Sequence, residues 1–166
     1  MILHIPHAST DLAGHTFQCD IGAELYRMTD HRTDELFYHP KAVRIVFPVS
    51  RLVCDVERFA DDAQEAMAKK GMGVCYTTSS FGQVLRQISG AEKSTILEDY
   101  YWPHHTRLVA AVNDELQQRG HSLIVDCHSF SAVPLPHENN QDTPRPDICV
   151  GTDDYHTPTA LTELVT

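Results

Sequence analysis

Leu123-Ile-Val-Asp-Cys-His-Ser-Phe130 constrains the fold of this chain more than any other stretch. Three apolar residues run straight into Asp126, Cys127, His128 and Ser129, as in a buried strand that ends in polar groups. Alternation along a strand sets Asp126 and His128 on one face and Cys127 on the other. In open α/β sheets, ligands collect beyond the carboxyl ends of the strands. A histidine there can offer one ring nitrogen to a metal while a carboxylate orients the other. For a single such histidine, a hydrogen-bonded ring closing a core strand is the simpler reading. The chain has a second strand end of the same kind, however: Met1-Ile-Leu-His-Ile5 is halted by Pro6, and His7 follows at once.

The rest of the chain alternates strand-like and helical patterns. Residues 20–38 read as mostly helical, with a polar break at Thr29-Asp-His-Arg32. Val43–Phe47 alternates and is β-branched, Leu52–Val56 is an apolar run leading into Glu57-Arg58, and Gly73–Thr77 is short; all three are expected as strands. Residues 60–72, polar and Ala-rich, are expected as a mobile surface segment. Ser79 or Ser80 is expected to cap a helix through Ile88 that ends at Gly90. From Ser94 to Arg119 the pattern is helical, with Pro103 kinking it and Leu108, Val112 and Leu116 forming the core-facing stripe. Residues 131–146 form a loop and Asp147–Gly151 a last strand. Thr157-Pro158 opens a final helix whose apolar face holds Ala160, Leu161, Leu164 and Val165. This order makes one α/β domain over residues 1–166, a three-layer sandwich around a sheet expected to be mixed because several connections are short. A sheet of this kind seldom stops on a helix, which leaves open that the domain is incomplete at its C-terminal end.

Charge and composition narrow the partners. With 23 acidic against 13 basic residues, the net charge is −10, which argues against nucleic acid and anionic membranes. No apolar stretch approaches membrane-spanning length, and no signal peptide is visible ahead of the first strand. The cysteines, at positions 19, 54, 75, 127 and 149, lack CxxC spacing. Cys54, Cys127 and Cys149 lie in apolar runs, so buried thiols in a reducing cytoplasm are expected.

His7 and His128 share one local setting and can meet if their strands are neighbours. A hydrolytic zinc takes three protein ligands and keeps a position open for water. The third ligand would come from the polar stretch 29–35, where Asp30 and Glu35 are the candidates against a plain solvated helix start. His4, three residues before His7, points to the opposite face of its strand and reads as core. Arg51 and Arg58 flank Asp55, and an arginine fork binds a substrate carboxylate through two hydrogen bonds. The competing reading is a weak surface pair between Arg58 and Asp55. Arg86 is a further candidate for carboxylate binding, and one histidine of Trp102-Pro-His-His105 could face the site from the kink. Cys127 and His128 cannot pair as nucleophile and base, because adjacent strand residues face opposite ways. No phosphate loop or dinucleotide fingerprint is present.

Six segments in order resemble the N-formylglutamate amidohydrolases: His4-Ile-Pro-His-Ala-Ser9, Thr29-Asp-His-Arg-Thr-Asp-Glu-Leu-Phe37, Ser50-Arg-Leu-Val-Cys-Asp-Val-Glu-Arg58, Trp102-Pro-His-His105, Asp126-Cys-His-Ser-Phe130 and Pro146-Asp-Ile-Cys-Val-Gly-Thr152. The resemblance covers nearly the whole chain and implies a fold like that of the zinc carboxypeptidases. It further implies a zinc hydrolase that cleaves N-formyl-L-glutamate to formate and glutamate, late in histidine degradation. By motif position, His7, Asp30 and His128 would hold the zinc, Arg51 and Arg58 would bind the substrate carboxylates, and His105 would match a catalytic histidine. The general base of that family lies on a later strand that has no counterpart here.

Two functional classes follow. One is a metal-dependent amidohydrolase of small N-acyl amino acids; the other is a metal- or ligand-binding remnant that lacks the base. A missing base typically costs about two to four orders of magnitude in rate, so turnover separates the classes and bound zinc does not. An unpaired sheet edge would favour self-association into a homo-oligomer.

Overall fold

A computed structural model describes residues 1–165, the side chain of Val165 excepted. The chain divides into two compact units, Met1–Phe130 and Ser131–Thr166. In the first unit, β1 (Ile2–Ile5), α1 (Gly22–Met28), α2 (Thr33–Leu36), β2 (Val43–Val46), α3 (Gly90–Ile96), α4 (Trp102–Arg119) and β3 (Ile124–Asp126) follow in order. The three strands form a parallel sheet in the order β2-β1-β3, in place of the mixed sheet expected. β1 is buried along its whole length, as the middle strand must be, while Val43 and Ile124 on its neighbours are exposed. Helix α4 packs against β1 and β2. The register pairs His4 with Asp126, so His7 and His128 emerge side by side beyond the ends of adjacent strands.

The expected helical stretch 20–38 is present as α1 and α2, and its polar break holds Asp30 buried between them. Two strands expected in the first unit are absent. Leu52, Val53, Cys54 and Val56 are buried, but they lie in turns, and their carbonyls are taken by a side chain: Arg86 donates to Leu52 O at 3.0 Å and Val53 O at 2.9 Å. An apolar run marks burial on every side, which a buried arginine can support as well as a ladder can. Gly73–Thr77 likewise stays outside the sheet, and Val74 O accepts from Asp55 N at 2.8 Å.

The helix expected over 80–88 is instead a closed turn. Ser79 Oγ accepts from Phe81 N and Gln83 N, and Gly82 takes φ 82°. Helix α3 begins at Gly90, the residue expected to end the previous one. Ser89 caps it with Glu92 in a reciprocal capping box. Between α3 and α4 the helix widens into a π turn, Leu97–Tyr101, just ahead of Pro103. Proline has no N–H for the ladder and its ring crowds the preceding turn, so the widened turn absorbs it without breaking the helix. The stripe expected on α4 is shallower than its spacing implies: Leu116 is exposed, and the buried position belongs to Glu115, which pairs with the N-terminal amine.

Residues 60–72 contain a 3-10 turn, Ala66–Lys70, capped by the buried Glu65 side chain. Gly71 closes it in a left-handed conformation at φ 72°, where a Cβ would collide with the Thr78 side chain. The main core gathers Phe47, Val53, Val74, Ile96 and Tyr101, with a second cluster of Leu3, Ile5 and Cys127. All five cysteines are free, and Cys149 is exposed where a buried thiol was expected.

In the second unit, the Asp147–Gly151 run forms no strand and leaves Ile148 exposed. Arg145 pairs with Glu138 at 2.9 Å, and α5 (Thr159–Val165) closes the unit. On that helix Leu161 is half-buried and Leu164 is exposed, so the apolar face expected there is largely open. Among the described residues, no helix is long and apolar enough to cross a membrane.

Candidate functional site

Pro6 ends the β1 ladder and the chain turns His7 inward, where it is 1 % exposed. Its Nε2 donates to Asp55 Oδ1 at 2.9 Å. Asp55, itself fully buried, also accepts from Arg51 Nη2 at 2.8 Å and Nε at 3.2 Å, from the Tyr76 hydroxyl at 3.0 Å and from the Glu57 amide at 3.1 Å. His7 Nδ1 has no hydrogen-bond partner. It lies 3.4 Å from Glu57 Oε2 and 3.7 Å from Asp30 Oδ2.

His128 mirrors this arrangement from the end of β3. Its Nδ1 donates to Asp30 Oδ2 at 2.8 Å, and its Nε2 lies 3.2 Å from Glu57 Oε1. The two imidazole rings are 5.3 Å apart. Each ring therefore has one nitrogen held by a buried aspartate and the other turned toward Glu57. Donor atoms of His7, Glu57 and His128 all lie within 4.8 Å of one another. Two imidazoles and a carboxylate with oriented outer nitrogens are a donor set that suits zinc, and Nδ1 of His7, without a hydrogen-bond partner, is the ring nitrogen left for such a cation.

The charges agree. Burial would raise Asp55, but Arg51, then His7 and Arg58, outweigh it and hold the carboxyl well below its usual range. Burial likewise opposes ionisation of Asp30, yet the hydrogen bond from His128 and the charge of the nearby His7 bring it to about 2. Burial pushes His128 down, and the carboxylates of Asp126, Asp30 and Glu57 reverse that and raise it to about 12. His7 is raised as well, since Asp55 and Asp30 outweigh burial and Arg51. The carboxylates thus favour positive charge at the two rings, the condition under which a cation would also be held there.

The structure brings together three of the residues singled out by sequence, His7, Asp30 and His128, and leaves Glu35 outside, paired with Arg32 at 3.1 Å. Glu57 was not among the expected ligands. Its signal was present, because Asp55-Val-Glu57 repeats the spacing of Asp126-Cys-His128 at the end of another buried run. Arg51 is committed to Asp55 in a largely buried pair at 2.8 Å. Arg58 is more open at 26 % exposure, with Nε 3.5 Å from Asp55 Oδ2. Arg86 is 6 % exposed and gives its guanidinium to the carbonyls of Tyr76, Leu52 and Val53, a bracing role within the core in place of carboxylate binding. His105 lies outside the cluster: its Nε2 bonds Val56 O at 2.9 Å. With the Tyr101 hydroxyl on Arg58 O at 3.0 Å, it pins the turn that carries Glu57.

The profile of the N-formylglutamate amidohydrolase family matches residues 1–166. No curated protein matches the sequence. Among solved structures, the crystal structure of N-formylglutamate amidohydrolase from Ralstonia eutropha is similar, with a TM-score of 0.71 and 21 % identity, over 78 % of this chain and 53 % of that one. At that identity the likeness is one of fold, and this chain spans about half the length of that structure.

Proposed function

The chain belongs to the N-formylglutamate amidohydrolase family, and from that premise we propose that it serves a metal-dependent hydrolysis of N-formyl-L-glutamate, or a similar N-acyl amino acid, to formate or another acid and the free amino acid. The observation that carries this reading is the pair of strand-end imidazoles, each oriented by a buried aspartate and both facing Glu57. His7 through Nδ1, His128 through Nε2 and the Glu57 carboxylate would hold one zinc ion. A zinc ion held there would supply polarisation of the amide carbonyl and a water with a pKa brought toward neutrality.

Asp30, the expected third ligand, stands one hydrogen bond behind His128 and acts as its orienting carboxylate. Asp55 does the same for His7, and Arg51 keeps Asp55 ionised. Arg58 receives a substrate carboxylate, since its guanidinium reaches solvent and Arg51 is occupied. His105 serves by holding the Glu57 turn. In this proposal residues 1–166 belong to one amidohydrolase domain of three-layer, zinc carboxypeptidase-like architecture, acting in the cytoplasm in histidine degradation.

The test is the product spectrum when purified, zinc-loaded protein meets a panel of formyl- and acyl-amino acids, with the mass in solution measured alongside. Formate release from N-formyl-L-glutamate that depends on zinc supports the proposal. Zinc uptake without turnover of any member would leave a metal-binding domain and refute the enzymatic reading.

A further inference from the structure

His4 was read from sequence as a core residue, yet it sits in a hydrogen-bonded chain that ends beside the metal pocket. It lies in the central strand, 6 % exposed, with Asp126 as its register partner on β3. Its Nδ1 is 2.7 Å from Asp126 Oδ1, and its Nε2 is 2.8 Å from Nε2 of His104 on α4. His104 is 0 % exposed, and the Phe47 ring packs edge-on against it at 5.1 Å between centroids.

The hydrogen bonds order the protons in this chain when each ring carries a single N–H. A carboxylate only accepts, so His4 Nδ1 carries the hydrogen that Asp126 receives. With one N–H on each ring, Nε2 of His4 is bare and must accept, so His104 Nε2 carries the next hydrogen. His104 Nδ1 is then bare, and it is one of the few buried side-chain atoms without a partner. Orphaned buried N–H groups are rarer in folded proteins than under-satisfied acceptors, which agrees with a bare Nδ1. Burial first, then the neighbouring His4, His105 and Arg107, lower His104 to about 3 and keep it neutral.

We propose that His104 and His4 are positioning residues, a tautomer-locked pair that anchors one oxygen of Asp126 and turns the other toward the metal pocket. Asp126 Oδ2 stands 3.6 Å from His128 Nε2, the nitrogen that faces Glu57. Asp126 is half exposed at the end of a three-residue strand, so its carboxylate depends on His4 for a fixed orientation. The donor atoms of His4, Glu57 and Asp126 also lie within 4.8 Å of one another, which raises the alternative of a second cation. A cation on His4 Nδ1 would move that ring's hydrogen to Nε2, and His104 would have to carry its own on Nδ1, stranding a buried N–H. The tautomer chain therefore favours an anchored carboxylate over a second metal site.

This inference rests on the metal pocket proposed above, and its test separates the two. Long-range proton–nitrogen correlation spectra of the full chain, labelled with 15N-histidine and recorded with and without zinc, read the tautomers directly. The expected result is His4 protonated on Nδ1 and His104 on Nε2. Zinc affinity, measured against a chelator, should fall by up to about 10-fold in His104→Leu, the low end of the range for groups that bond the ligands directly. His104→Gln, which retains an N–H donor, should restore most of it. A purely structural role would lower the melting temperature of His104→Leu and leave the zinc affinity of the folded protein unchanged, overturning the proposal. Reversed tautomers would overturn it too, as would two zinc ions per chain with one lost in His4→Asn. A protein with the expected tautomers that takes up no zinc would overturn the metal pocket while leaving the locked pair supported.

Discussion

Replacing Asp55 with Asn takes one negative charge from a carboxylate that accepts from Arg51, Tyr76, His7 and the Glu57 amide with no exposure to water. One amide oxygen can still accept, but the new NH2 group must face donors that previously had an acceptor. Arg51, 15 % exposed, is left as a buried cation without its counter-ion. Removing one partner of a buried pair costs about 3–5 kcal/mol. With a urea m-value of about 1–3 kcal/mol/M for a small protein, the unfolding midpoint of the metal-free protein should drop by about 2 M. Acid titration adds a second signature. The folded carboxyl is held well below its usual value, so its stabilisation is fully present above the unfolded value near 3.8 and is lost as pH falls further. The parent should therefore lose stability below about pH 4, and the Asp55→Asn protein should lose less over the same range. A loss under about 1 kcal/mol, the level of an exposed pair, would refute the account of Asp55 as the buried anchor of His7.

Glu57→Gln should abolish zinc uptake in an otherwise folded protein, whereas Asp30→Asn should weaken it by about 10- to 100-fold; metal analysis after dialysis distinguishes them, and the reverse order would return Asp30 to the ligand set. Zinc binding at pH 7 should release protons, because His128 is held protonated up to about 12 and His7 is raised as well. Calorimetry in buffers of different ionisation enthalpy reads the number released, and a value of zero would contradict the charge balance of the site. Arg58→Lys should raise KM for the acyl-amino acid by about 10- to 150-fold with kcat retained, the equivalent of one charged hydrogen bond at about 1.5–3 kcal/mol. An unchanged KM would show that Arg58 serves the fold.

Local pattern was enough to find the two histidines. Strand alternation is a property of neighbouring residues, so Asp126 and His128 on one side and Cys127 in the core could be read directly, as could His7 beyond a proline stop. The α1–α2 break that presents Asp30 was legible for the same reason. For the buried run at 52–56, the deciding contact came from far along the chain. Leu52–Val56 has the composition of a strand, but an arginine 33 and 34 positions later takes its carbonyls, and the segment turns to deliver Asp55 and Glu57. Ser79 has the chemistry of a helix cap and spends it on a turn instead, while Ser89 begins the helix.

The sequence by itself therefore determined which chemical groups stand at the strand ends, because side-chain direction follows from the chain's own repeat. Only the tertiary structure decided their partners. Asp55 meets His7 across 48 residues, Asp30 meets His128 across 98, and His104 meets His4 across 100. Whether a carboxylate becomes a ligand, an orienting group or a surface charge depends on which atoms those long-range contacts leave free, and burial then makes each assignment costly to change.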